Sequence, residues 1–447
     1  MGASDSSESA ADAVPPTLTR PGAGRFWIAV ILIGIGAGVS ASILASILSI
    51  VQHWVWPADE NLLEAATGAG PWRHVLALVG AGVVTGAGQL ALVSLTTGNS
   101  IEITSAIWFA AGRLPAVRTL GSALLSVVIV GMGASLGREG APKQAGAVVA
   151  NALSDRFRFS DDQRKLLVAC GAGAGMAAVY DVPLGGALFA IEVLRGALAL
   201  RLVLPALAAS AIATLVGWVV IPNAPTYRVP EQGNFASLLV WALLAAPIFA
   251  VASVGFVRMI ALADHIRPKG WRRFAAPVVG FGILGLVSVP FPQLLGNGKD
   301  LAQLAFDGAL GPFLLLALLV LKPAAIFICF GSGGPGGLFT PSLTFGALLG
   351  GVLGYVWAWV WPGPPVGLFA LVGAGAVVAA TTQGPISAIV LMIELTGRDR
   401  TFIVPMIVAA SAATLLARTI DPRSIYDARL TDAELAERQR LRDRPAR

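Results

Sequence analysis

Charge is scarce in this 447-residue sequence. Asp, Glu, Lys and Arg make up only 13% of it, about half of the ~25% usual in soluble proteins. That shortage excludes an ordinary water-soluble domain. Cysteine and histidine are rarer still, with two Cys and three His in all. Cys170 and Cys329 both lie in apolar stretches, which excludes a disulfide framework and reads as two buried free thiols. His53, His74 and His265 are not clustered with carboxylates, so no metal centre is expected. The chain is not expected to be an enzyme or to carry a cofactor.

What is present is apolar: 56% of the residues are hydrophobic. No charged residue occurs in 323–393, nor in the shorter runs 26–52, 119–137, 202–227, 232–257 and 274–298. Each run is long enough to cross a ~30 Å hydrocarbon core as a helix of about 20 residues. A soluble core helix would keep a charged face, and these do not. The expected fold is an all-α polytopic membrane protein with the lipid bilayer as its main partner. The net charge of +6 then sets topology and gives no reason to expect nucleic acid. Arg20, Arg25 and the basic stretches 156–165 and 258–273 are expected on the cytoplasmic side, and the acidic group Asp59, Glu60 and Glu64 outside. Residues 1–24 are polar and rich in Ser, Ala and Pro, and are expected to be a disordered cytoplasmic N-terminus. The first apolar run is too long for a signal-peptide core and should remain as a span. Residues 431–447 read as a charged cytoplasmic tail containing a short helix, with no soluble domain after it.

The chain repeats itself. Residues 171–192, GAGAGMAAVYDVPLGGALFAIE, align without a gap on residues 373–394, GAGAVVAATTQGPISAIVLMIE. The identities include Pro183/Pro385 and Glu192/Glu394. Upstream, Gly137-Arg138-Glu139-Gly140-Ala141-Pro142 precedes Gly146-Ala147, and Gly337-Leu338-Phe339-Thr340-Pro341 precedes Gly346-Ala347. Two similar halves follow, about 25–227 and 232–430. Such repeats characterise transporters, which bind their ligand between the halves.

Both paired motifs are glycine-rich turns leading into apolar helices with proline near the start. Proline costs nothing there, because the first-turn N–H groups have no helical partner. A helix that starts inside the membrane aims unsatisfied N–H groups and a partial positive charge at the midplane. That attracts an anion without the tight grip of a full lysine charge. Thr96-Thr97-Gly98-Asn99-Ser100, opening the short segment 101–109, reads as a third such turn, so that three helix starts would converge on one anion. Glu139 is the exception, a carboxylate at such a start. It can occupy an anion site itself and leave when protonated. The alternative is a structural salt bridge to Arg138 or Lys143. Lys143 is four residues on, a spacing that on a continuous helix shares a face with Glu139. A cation there would favour the ionised carboxylate and draw anions to the pore mouth. In the alternative, Lys143 snorkels to the outer surface.

At these residues the sequence resembles the CLC family of chloride channels and proton/chloride exchangers, of the bacterial type without appended regulatory domains, over about residues 25–430. Gly137-Arg138-Glu139-Gly140 is similar to the family's gating-glutamate motif, and the segment from Gly331-Ser332-Gly333 to Pro341 to its second pore motif. Tyr426 falls where the family places the tyrosine that holds the central anion. The resemblance implies an inverted repeat of tilted, broken helices and a homodimer with one pore per subunit. It also implies residence in the plasma (inner) membrane with both termini cytoplasmic. Glu139 is then the gate, and Gly98, Asn99, Ser100, Gly137, Arg138, Gly140, Leu338, Phe339 and Tyr426 the anion-binding set. Three positions depart from the family pattern. Gly98 stands where a serine hydroxyl is usual, which puts anion choice in question and leaves Asn99 or Ser100 as substitute donors. Lys143 adds a cation beside the gate. Val193 follows Glu192 where exchangers carry a second, proton-relaying glutamate. These residues lead to the expectation of a gated passive chloride channel; the alternative is a proton/chloride antiporter with a non-standard relay, such as Glu192 or water. Chloride is expected as the transported ion.

Overall fold

The computed structural model describes residues 22–56, 61–95, 102–196, 199–229, 236–397, 402–427 and 430–442. All its regular structure is helical apart from one isolated antiparallel bridge, Gly137 to Gly337. Hydrocarbon offers no partner for an open backbone group, so helices satisfy their own. Among the described residues, seven helices are long and apolar enough to cross a membrane.

The first half comprises α1 (Ala23–Val55), α2 (Leu62–Thr67), α3 (Pro71–Leu95), α4 (Ile103–Phe109), α5 (Ala116–Gly131), α6 (Gly140–Phe157), α7 (Asp161–Tyr180), α8 (Pro183–Leu188), extended by a wide π turn over Phe189–Arg195, and α9 (Leu200–Gly217). The second comprises α10 (Ala236–His265), α11 (Arg272–Ser288), α12 (Lys299–Phe306), α13 (Pro312–Gly331), α14 (Phe339–Trp357), α15 (Val366–Thr382), α16 (Pro385–Thr396) and α17 (Ile403–Ile420). With α2 set aside, the halves correspond helix for helix. A tail helix, α18 (Asp432–Arg442), follows.

The outer helices show apolar side chains to their surroundings, among them Ile28, Ile35 and Ile43 on α1 and Leu243, Leu244 and Val251 on α10. In contrast, α7 and α15 are buried almost throughout. Their Gly-Ala runs let neighbouring backbones approach closely, the small-residue packing favoured inside membranes. Gly146 of α6 meets Gly171 of α7, and Gly346 of α14 meets Gly373 of α15; in each pair a Cβ would strike the partner's carbonyl oxygen.

Two charge-free runs are not single spans. Within 119–137 the helix stops at Gly131, and Gly133 turns the chain at φ 107°. The second half does the same after α13, with Gly333 at φ 110°. At each place the residue after the glycine donates five residues back, Ala134 to Ile129 O (3.0 Å) and Gly334 to Cys329 O (3.0 Å), closing the helix as a left-handed glycine cap does. Within 274–298, α11 stops at Ser288. Cys170 and Cys329 are buried free thiols.

Candidate functional site

Beyond those glycine caps the two chains run antiparallel into the protein's centre. Gly137 and Gly337 exchange both hydrogen bonds, N–H to O at 2.8 and 2.7 Å. Immediately after this bridge α6 and α14 begin, so both helix starts lie inside the molecule. Pro142 and Pro341 sit in their first turns and withhold no useful donor.

Glu139 is completely buried at the start of α6. Its carboxylate crosses to the other half: Oε1 accepts from the Phe339 N–H (2.7 Å), and Oε2 from the hydroxyls of Thr340 (3.1 Å) and Tyr180 (3.2 Å). The Tyr180 and Thr340 hydroxyls are themselves 2.6 Å apart. A Cβ on Gly137 or Gly337 would fall on this carboxylate, which is why both positions need glycine. The carboxylate thus sits on a helix N-terminus among three donors, the surroundings an inorganic anion would seek.

Lys143 goes elsewhere. It is 5% exposed, and among the described residues it forms no ion pair with Glu139 or any other carboxylate. Its Nζ is 3.4 Å from the Tyr426 hydroxyl, 4.7 Å from the centre of the Tyr426 ring and 5.1 Å from that of Phe189. The ammonium stays inside and does not snorkel to the surface. Although the Glu139 carbonyl accepts from the Lys143 N–H (3.4 Å) across the helix start, the Glu139 carboxylate is drawn over to the other half, so the two side chains form no ion pair. Lys143 lines a cavity of about 60 Å³ with Glu102, Thr104, Gly337, Leu338 and Tyr426. Glu102, Gln144 and Gly336 also line a neighbouring cavity of about 180 Å³, whose rim carries Arg118, Arg267 and Arg273. On the far side of Glu139, Arg138 stacks over the Tyr180 ring at 5.1 Å. Arg138 and Tyr180 line a cavity of about 550 Å³ together with Asp181 and Lys299. The cavity with Arg118, Arg267 and Arg273 in its wall thus adjoins the small one at Lys143 through shared lining residues, and the cavity at Arg138 and Tyr180 is reached from the other neighbours of Glu139.

Val193 is buried in the π turn, and its carbonyl accepts from Arg438 of α18 (3.2 Å). Arg438 pairs with Asp427 and lies 5.3 Å from the Trp108 ring. Both carboxylate oxygens of Glu192 are engaged at the start of α16, by the N–H groups of Ile386 (3.1 Å) and Ser387 (2.6 Å). The structure thus brings together Gly137, Glu139, Gly140, Leu338 and Phe339, with Arg138 towards one mouth and Lys143 and Tyr426 towards the other. Gly98, Asn99, Ser100, Asp59 and Glu60 lie outside the described residues. Sequence reasoning missed Tyr180, Thr340 and Glu102. A signal for Tyr180 exists, since the aligned repeat has Thr382 in its place.

Residues 97–418 match the family model described as voltage gated chloride channel. The chain belongs to that family. Among its relatives, the H(+)/Cl(-) exchange transporter ClcA of Vibrio cholerae serotype O1 is 34% identical over 314 residues, 66% of each chain; this chain therefore spans just under two thirds of that relative's length. The voltage-gated ClC-type chloride channel ClcB of Citrobacter koseri is 30% identical over 405 residues, covering 84% of this chain and 92% of that one. The fold of this CLC protein also matches the crystal structure of a slow cyanobacterial Cl-/H+ antiporter, with a TM-score of 0.76 at 22% identity over 95% of this chain and all of that one.

Proposed function

We propose that this protein exchanges chloride, or a similar small anion, for protons across a membrane, with Glu139 as the gate. The observation that carries the reading is the three-donor seat of the Glu139 carboxylate. An ionised Glu139 fills that seat as a tethered anion and closes the pathway. A proton cancels its charge and weakens its hold on the donors, and a free anion then takes them. Proton and anion thereby displace one another at one place, the minimal requirement for exchange. Val193 led to the expectation of a passive channel. The relative named as an exchange transporter, together with this seat, favours exchange instead. It follows that the proton reaches Glu139 by a route other than position 193. The Glu192 carboxylate, with both oxygens held by N–H groups, is poorly placed to carry it.

The basic mouth at Arg118, Arg267 and Arg273 is assigned to the cytoplasmic side by the positive-inside bias. Residence in the plasma (inner) membrane, cytoplasmic termini and a dimer with one pathway per subunit belong to the same proposal. The test is reconstitution in liposomes under a chloride gradient, recording chloride and pH together. Chloride running downhill should drive protons uphill. Chloride flux with no accompanying proton movement would overturn exchange and restore the channel reading.

A further inference from the structure

We infer that Lys143 is a direct ligand of the transported anion, a fixed positive charge built into the pathway on the basic side of the gate. The inference rests on the anion-transport reading above and deepens it. Lys143 is 5% exposed, one turn into α6. The only hydrogen-bond partner of its ammonium among the described residues is the Tyr426 hydroxyl, at a long 3.4 Å. Two ring faces, Tyr426 at 4.7 Å and Phe189 at 5.1 Å, lie against the ammonium. Ring faces attract a cation only modestly. Removing an ammonium from water costs several kcal/mol, and a partner charge or good hydrogen bonds must offset it. Among the described residues no carboxylate lies within ion-pairing distance of this ammonium. The Glu139 carboxylate is turned away onto Phe339, Thr340 and Tyr180, and Asp427 is taken by Arg438. Glu102 lines the same cavity.

What adjoins the ammonium is a cavity of about 60 Å³, room for one small ion or a few water molecules. Lys143 and Tyr426 both line it, their ammonium and hydroxyl each having a proton to donate, and Gly337 and Leu338 of the pore turn line it as well. The Arg118, Arg267 and Arg273 rim leads into it. A monovalent anion of chloride or bromide size completes the ammonium's coordination and neutralises it. The site therefore holds its anion by charge, where the Glu139 seat uses only neutral donors.

Bromide tests this. Purified protein in chloride-free detergent buffer is titrated with sodium bromide by calorimetry, as wild type, Lys143→Met and Lys143→Arg. Hydrogen bonds to charged groups set the scale: Lys143→Met should weaken bromide binding by about tenfold or more, while Lys143→Arg stays within a few-fold of wild type. Wild-type affinity in a monodisperse Lys143→Met protein overturns the inference. A crystal of the unaltered protein soaked in bromide guards against a variant that fails to fold. An anomalous peak within hydrogen-bond reach of Lys143 Nζ is expected, and bromide elsewhere in the pathway with none beside Lys143 also overturns it. Neither measurement involves proton movement. Failure of the exchange reading in liposomes and failure of this inference are therefore separate results.

Discussion

Glu192 caps the helix that begins at Pro385, and Glu394 caps the helix that begins at Pro183. The contacts are reciprocal: Glu192 accepts from the N–H groups of Ile386 and Ser387 (3.1 and 2.6 Å), and Glu394 from those of Leu184 and Gly185 (2.9 and 2.6 Å). Each half therefore supplies the anion that the other half's broken helix requires. Such an exchange is what an internal two-fold axis produces. It also explains why the repeat retains a glutamate at this position in otherwise uncharged segments.

Removing either cap should loosen the fold, and not by equal amounts. Charge-assisted bonds of this kind contribute about 1.5–3 kcal/mol each where they are shielded from water. Glu192 is 8% exposed, whereas Glu394 is half-buried. Glu192→Ala should therefore lower the thermal unfolding temperature of the purified protein more than Glu394→Ala does. Equal melting curves for both variants and the wild type would show that neither cap matters.

Glu139→Gln should mimic the protonated gate permanently. Anion flux into liposomes is expected to persist or rise, to become nearly independent of pH, and to carry no protons. A folded variant without flux would remove Glu139 from the gate role.

Tyr180→Phe removes one donor from the ionised Glu139 carboxylate and leaves the ring in place. Losing that bond disfavours the ionised form, so the protonated, open form survives to higher pH. The midpoint of the flux–pH profile should therefore rise, and an unchanged or lowered midpoint would count against the role given to Tyr180.

The two bridge glycines should separate in their effects. A methyl at Gly137 would meet only the end of the Glu139 side chain, which can swing aside, whereas one at Gly337 would also meet the Gly140 backbone nitrogen. Gly137→Ala should fold and show the raised, pH-insensitive flux of Glu139→Gln. Gly337→Ala should yield less folded protein, judged by size-exclusion profile and melting.

The fold was legible because hydrocarbon leaves the backbone few choices and because the chain states its plan twice. Pairing Pro183 with Pro385 and Glu139's turn with that of Gly337 is enough to place the centre of the molecule. The limits are physical as well. Tyr180 and Thr340 reach Glu139 across 41 and 201 residues of chain, and no local pattern announces such a contact. The helical register from Glu139 to Lys143 is kept, and what separates the two side chains is the pull of Phe339, Thr340 and Tyr180 on the Glu139 carboxylate, which local spacing cannot announce. The run 119–137 reads as one span because hydropathy is blind to the left-handed turn at Gly133. Position 193 points to a passive channel and the named exchange relative to exchange, and the residue alone cannot choose, since a single missing carboxylate removes one route for a proton and says nothing of others.

The bridge between Gly137 and Gly337 has a mechanical consequence. Two antiparallel hydrogen bonds clasp the halves at their common axis, the place where a rocking motion would need them to part. Exposing the site first to one side and then to the other by tilting one half would break that clasp and leave four buried backbone groups without their partners. A swing of the Glu139 side chain would leave the clasp intact. Under the exchange proposal the frame would stay fixed, and turnover is expected to follow how fast that one carboxylate gains and loses a proton.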